Sequence, residues 1–145
     1  IVFASLIPES PTPHPNSRMR PRSWFRKFYD AGRGCLWGMQ GQSSFAVHFV
    51  IAVLVIALAA WLRVERWEWI ALLLCIAAVL CAELFNSAIE DLARAITREQ
   101  NEHLGRALDI ASGAVLIAAA GSAVVGVLIL VPPLWARLTT LAPGQ

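Results

Sequence analysis

Three polar residues stand at helical spacing inside AELFNSAIEDLARA, residues 82–95: Glu83, Asn86 and Glu90. At i, i+3 and i+7 they share one helix face, which Ser87 joins, while Asp91 is turned about 100° away. The run follows WIALLLCIAAVLC, residues 69–81, so this face emerges from an apolar segment. A charged group at mid-bilayer costs about 2.5–3.5 kcal/mol, so a carboxylate kept there has either a function or a buried partner. Seven residues of helix rise about 10 Å, too far for both glutamates to hold one ion. Glu83, deeper among apolar residues, suits a general base acting on a group that arrives from the lipid. Glu90, nearer water, suits a Mg²⁺ ion carrying a phosphorylated substrate. An interhelix hydrogen-bond network with Asp109 or Ser112 is the structural alternative.

A second polar group opens the next apolar run, GRALDIASG, residues 105–113. Asp109 and Ser112 are three apart, and Arg106 sits one turn before Asp109. The link between the two runs is short, which makes them antiparallel neighbours. Glu83, Asn86, Glu90, Arg106 and Asp109 are therefore expected to gather at one end of the pair. Acids with an arginine at a membrane surface suit a metal-phosphate group beside lipid. His48, alone in an earlier apolar run, reads as packing or hydrogen bonding ahead of a direct role.

The elements that hold these residues follow from composition. The chain has 145 residues, enough for one domain, and is 57% hydrophobic with a mean hydropathy of +0.59. Three apolar segments, 45–62, 67–82 and 110–131, predict three membrane-spanning helices, the second continuing to about residue 86. A span needs about 20 apolar residues. Arg18, Arg20, Arg22, Arg26, Lys27 and Arg33 precede the first span, and Arg94, Arg98 and Arg106 fall in the second link. The positive-inside rule places the N-terminus and that link in the cytoplasm. Trp61, Trp67, Trp69 and Trp135 mark the outer boundary.

Residues 1–21 read as a disordered tail: PESPTPHPNSRMRP, residues 8–21, is proline-rich and polar without an apolar period. The opening IVFASLI lacks the length and basic flank of a signal peptide. SWFRKFYDAGRGCLWGMQ, residues 23–40, interleaves Trp24, Phe25, Phe28 and Tyr29 with basic residues. It predicts an amphipathic helix lying in the headgroup layer. Its glycines are no phosphate loop, since no strand precedes them and no GK[ST] follows; they suit close helix packing. Ala118, Ser122 and Gly126 form a small-residue row of the kind that lets membrane helices approach. Pro132-Pro133 is expected to end the last span, giving a membrane domain over 22–135 and a short tail over 136–145. Cys35, Cys75 and Cys81 show no metal or disulfide spacing. Basic residues that flank a span argue against nucleic acid. Three spans without a pair of broken helices argue against a transporter.

With these residues in place, AELFNSAIE followed by RALDIASGAVL resembles the prokaryotic diacylglycerol and undecaprenol kinases, whose pattern is E-x-x-N-[ST]-A-I-E and then A-K-D with a small-residue run. The resemblance covers about 24–131, and FAVH, residues 45–48, is similar to the F-x-x-H of the undecaprenol branch. It implies an all-α, three-span homotrimer of the bacterial inner membrane. It also implies transfer of the γ-phosphoryl of ATP, with Mg²⁺, to a lipid hydroxyl at the cytoplasmic face. Carried over residue by residue, it makes Glu83 the base, Asn86 the catalytic amide, Glu90 a metal ligand, Asp109 a nucleotide-side acid and Ser112 a lipid contact. Four positions depart from the pattern. Leu108 replaces a phosphate-binding lysine, Gln42 a second metal-binding glutamate, Ala46 an arginine or polar residue, and Arg94 an aspartate. Either the site is rewired or the chain keeps the fold without the chemistry, as a lipid-binding or structural protein. In the rewired site Arg94 or Arg106 supplies the cation and Gln42 binds metal through its carbonyl. The retained Glu83 and Glu90 favour the kinase.

Overall fold

The computed structural model describes residues 23–39, 43–97, 99 and 101–141. Four helices follow one another: α1 Trp24–Met39, α2 Ser43–Leu62, α3 Arg66–Ile96 and α4 Glu102–Leu141. The fold is all-α, and α2, α3 and α4 are each long and apolar enough to cross a membrane. The proposed tail over residues 1–21 and the proposed ligand Gln42 lie outside the described residues.

The turns are set by local chemistry. Arg63 adopts a positive φ of 58° to reverse the chain between α2 and α3. The Glu68 carboxylate then accepts the Glu65 backbone N–H at 2.7 Å, a capping arrangement that starts α3. At the other end Asn101 caps α4, its Oδ1 accepting the N–H groups of His103 and Leu104.

The antiparallel pair α3 and α4 packs most extensively, with α2 alongside. Near the α2–α3 turn, Ala59, Leu62, Leu72, Ile129 and Leu130 form a buried apolar cluster. Ser122 Oγ donates to the Cys75 carbonyl at 3.3 Å, so the small-residue row of α4 does meet α3. Most other large apolar side chains of the three helices face outward, as lipid-facing surfaces must.

Two expectations need correction. Pro132-Pro133 do not end α4, which continues to Leu141. Proline removes its own helical N–H bond, but membrane helices tolerate this where the flanking segment is held. Here Leu134 packs on the apolar cluster, and Arg137 stacks over the Trp61 ring at 5.1 Å. Second, the glycines of α1 do not all serve packing. Gly38 does, because a Cβ there would lie 2.7 Å from Leu84 Cδ2, whereas Gly32 and Gly34 face open space.

α1 buries no residue against the other helices. Trp24, Phe25, Phe28 and Tyr29 are exposed, and the basic side chains lie over the rings. Lys27 Nζ sits 5.1 Å from the Trp24 centroid and Arg33 Cζ 4.6 Å from that of Trp37. Such a surface is built for an interface between water and hydrocarbon.

Candidate active site

Glu83 lies on the face of α3 turned to α2, and is the most deeply buried large side chain described, at 1% exposed. Ser44 and His48 stand one turn apart on α2, on the side facing it. Ser44 Oγ donates to Glu83 Oε1 at 2.6 Å, and His48 Nε2 lies 3.1 Å from the same oxygen. A buried carboxylate thus meets two polar partners from the neighbouring helix, which offset part of its desolvation.

One turn along, Asn86 is also buried, at 7% exposed. Its Nδ2 donates to Glu90 Oε1 at 2.8 Å, and its Oδ1 accepts from Ser112 Oγ of α4 at 3.4 Å. Arg94 closes the row: Nη2 meets Glu90 Oε2 at 3.1 Å and Nη1 meets Asp91 Oδ1 at 2.7 Å. Asp91 therefore joins the polar group through Arg94 despite its turned position. Ser87 Oγ, buried beside Asn86, has no hydrogen-bond partner among the described residues.

Two of the residues expected in this group stand apart. Leu104, Leu108, Ala111 and Val115 form the inward face of α4, while Arg106 and Asp109 lie on its exposed face. Arg106 pairs with Glu102 on the same helix. Spacing on α4 alone did not reveal that the packing stripe runs through Leu108 and excludes its neighbour Asp109. Arg94 and Leu108 share an open cavity of about 920 Å³ where α3 ends and α4 begins.

Two further polar residues touch Glu83. Sequence reasoning gave Ser44 no role and read His48 as packing or hydrogen bonding, and its contact with Glu83 is of the second kind. The available signal was their i, i+4 spacing, which puts both on one face of α2 at the same end of the bundle as Glu83. Among the described residues no three His, Cys, Asp or Glu cluster as a metal cage. Mg²⁺ needs no such cage, since one or two carboxylates with water and substrate phosphates suffice. Glu90, half-buried and oriented from both sides by Asn86 and Arg94, fits that smaller requirement.

An all-α bundle with three helices long and apolar enough to cross a membrane, and a polar row running from buried to exposed along one of them, defines an integral membrane protein with a candidate site on α3. Residues 29–130 match the family model described as prokaryotic diacylglycerol kinase. Undecaprenol kinase of Bacillus subtilis (strain 168) is 32% identical over 111 residues, covering 77% of this chain and 90% of that protein. A diacylglycerol kinase of Synechocystis is 29% identical over 136 residues, covering 89% of this chain and 78% of the relative. That of Escherichia coli (strain K12) is 36% identical over 77 residues, covering 53% and 63%. The chain belongs to the prokaryotic diacylglycerol kinase family and is a lipid kinase of that type.

Proposed function

We propose that the protein transfers the γ-phosphoryl of ATP to the hydroxyl of a membrane lipid alcohol, diacylglycerol or undecaprenol, at the cytoplasmic face of the bacterial inner membrane. The observation that carries the reading is the junction at His48. This residue touches Glu83 and also lines the end of an apolar groove of about 510 Å³ between α2, α3 and α4. The groove passes Ile51, Val55, Val79 and Gly126 to Leu134. A hydrocarbon chain lying there carries its hydroxyl to the buried carboxylate.

The chemistry then divides along α3. Glu83 takes the proton of the lipid hydroxyl as its oxygen attacks the γ-phosphorus. The bond from that phosphorus to the β–γ bridging oxygen breaks, and ADP leaves. Asn86 sits between the base and Glu90 and orients both the reacting group and that acid. Phosphoryl transfer asks mainly for such positioning and for charge neutralisation. Glu90 would hold Mg²⁺, which when bound neutralises the phosphate oxygens. Arg94 takes the phosphate-side place of the missing lysine, because it lines the open cavity with Leu108, whereas Arg106 is not among the lining residues and is paired with Glu102. Ser112 contacts the lipid head through its position beside Asn86. Asp109, on the outward face of α4, would reach only a nucleotide carried by a neighbouring copy in the homotrimer that the resemblance implies.

The basic residues of α1 lie at the same end as Arg94 of α3 and Arg106 of α4, and the positive-inside rule assigns that end to the cytoplasm. The test is phosphate transfer by the purified protein in mixed micelles with labelled ATP and Mg²⁺, offering diacylglycerol and undecaprenol side by side. Labelling of one of them is expected. Labelling of neither by folded protein overturns the reading.

A further inference from the structure

We propose that Ser44 and His48 are positioning residues that hold the Glu83 carboxyl group in one orientation against α2. The proposal deepens the kinase reading, in which Glu83 is the base.

Glu83 is 1% exposed, and its flanks on α3 are Ala82 and Leu84. Burial strips water from a carboxyl group, and polar partners on the neighbouring helix replace part of that loss. Ser44 Oγ at 2.6 Å and His48 Nε2 at 3.1 Å both converge on Oε1. The serine makes the hydrogen bond, and the imidazole nitrogen lies in ion-pair contact with the same oxygen. His48 is the ion-pair partner of Glu83, and none other is found among the described residues. Both contacts from α2 therefore fall on the same oxygen, Oε1. Both partners come from the first turns of α2. A hydrogen bond and a second polar contact on one atom restrict how the carboxyl group can turn.

The structure therefore ties catalytic competence to α2, a helix that contributes no acid. Ser44→Ala and His48→Leu should each lower kcat about 10- to 100-fold, the range expected for a hydrogen bond to a charged group. The KM for ATP should stay within about twofold, because the nucleotide end of α3 is untouched. Ser44→Thr and His48→Gln keep a donor and should restore most of the rate. In a Glu83→Gln background neither loss should matter further, since both act through that carboxylate.

A second measurement needs no substrate. The infrared difference between the native protein and Glu83→Gln isolates the Glu83 carboxyl band. In the Ser44→Ala/His48→Leu double variant that band should shift and broaden as the carboxyl group loses its partners. An unchanged band in the double variant overturns the proposal whether or not either lipid is phosphorylated. Additive rate losses in the Glu83→Gln background overturn it too. Absence of lipid phosphorylation with the expected infrared change would overturn the kinase reading alone.

Discussion

The loss of the family lysine at Leu108 makes Arg94 the sharpest test of how this site holds phosphate. Arg94 is 65% exposed and reaches Glu90 and Asp91 from the same helix. A charge-assisted hydrogen bond from arginine to phosphate contributes about 1.5–3 kcal/mol. To make it, the guanidinium gives up part of two exposed ion pairs, each worth about 0.2–1 kcal/mol. The net is about 1–2 kcal/mol, so Arg94→Ala should weaken ATP binding roughly 5- to 30-fold. Arg106→Ala should change it less than about twofold, because Arg106 does not line that cavity and is already paired with Glu102. Leu108→Lys returns an ammonium to the same cavity and should recover most of the loss in the Arg94→Ala background. The measurement is ATP affinity by calorimetry in detergent micelles, with the ATP KM as a second readout. Unchanged affinity in Arg94→Ala, or a larger loss in Arg106→Ala, refutes the argument.

Other substitutions separate chemistry from scaffold. Glu83→Gln keeps the shape of the side chain and should lower kcat about 10²- to 10⁴-fold, with thermal stability in detergent near that of the native protein. Leu72→Ala empties a site 3% exposed between α2 and α4, and should cost about 2–5 kcal/mol in denaturant unfolding, with ATP KM unchanged in the folded fraction. Gly38→Ala brings a Cβ against Leu84, whose flexible end can turn aside, so the melting point should fall only slightly. Gly34→Ala meets nothing and should stabilise α1 by up to about 1 kcal/mol, raising the melting point instead.

The spans and the polar face of α3 were legible because they depend on the chain's own periodicity. Glu83, Asn86 and Glu90 repeat at helical spacing, and no tertiary partner is needed to put them on one face. What was not legible depends on rotation between helices. Asp109 and Leu108 are adjacent in sequence, yet one is exposed and the other half-buried toward α3, because the packing stripe of α4 runs through Leu104, Leu108 and Ala111. Helix phase is set by a few contacts across the pair, such as Ser122 to Cys75, which no single segment reveals. Ser44 was hidden for a similar reason. A serine at a helix start has a sufficient local explanation in capping, so its bond to a residue 39 positions away leaves no local trace. Pro132 and Pro133 misled because proline rules weigh backbone bonds, while Leu134 and Arg137 hold the continuation by side-chain contacts.

The row along α3 also orders the reaction in space. Exposure rises from 1% at Glu83 to 7% at Asn86, 26% at Glu90 and 65% at Arg94. Eleven residues of helix separate the ends by about 16 Å. In the proposed reaction a lipid hydroxyl arrives at the dry end and a nucleotide at the wet end, and the two would meet in the short interval between Glu83 and Glu90. Asn86 occupies that interval and bonds toward Glu90 and Ser112. Replacing Asn86 with Asp would keep its size but set a second negative charge against Glu90, and so should abolish transfer while leaving both substrates able to bind. If Asn86→Asp turns over at near the native rate, the two substrates meet somewhere other than this interval, and the graded face of α3 does not order the reaction.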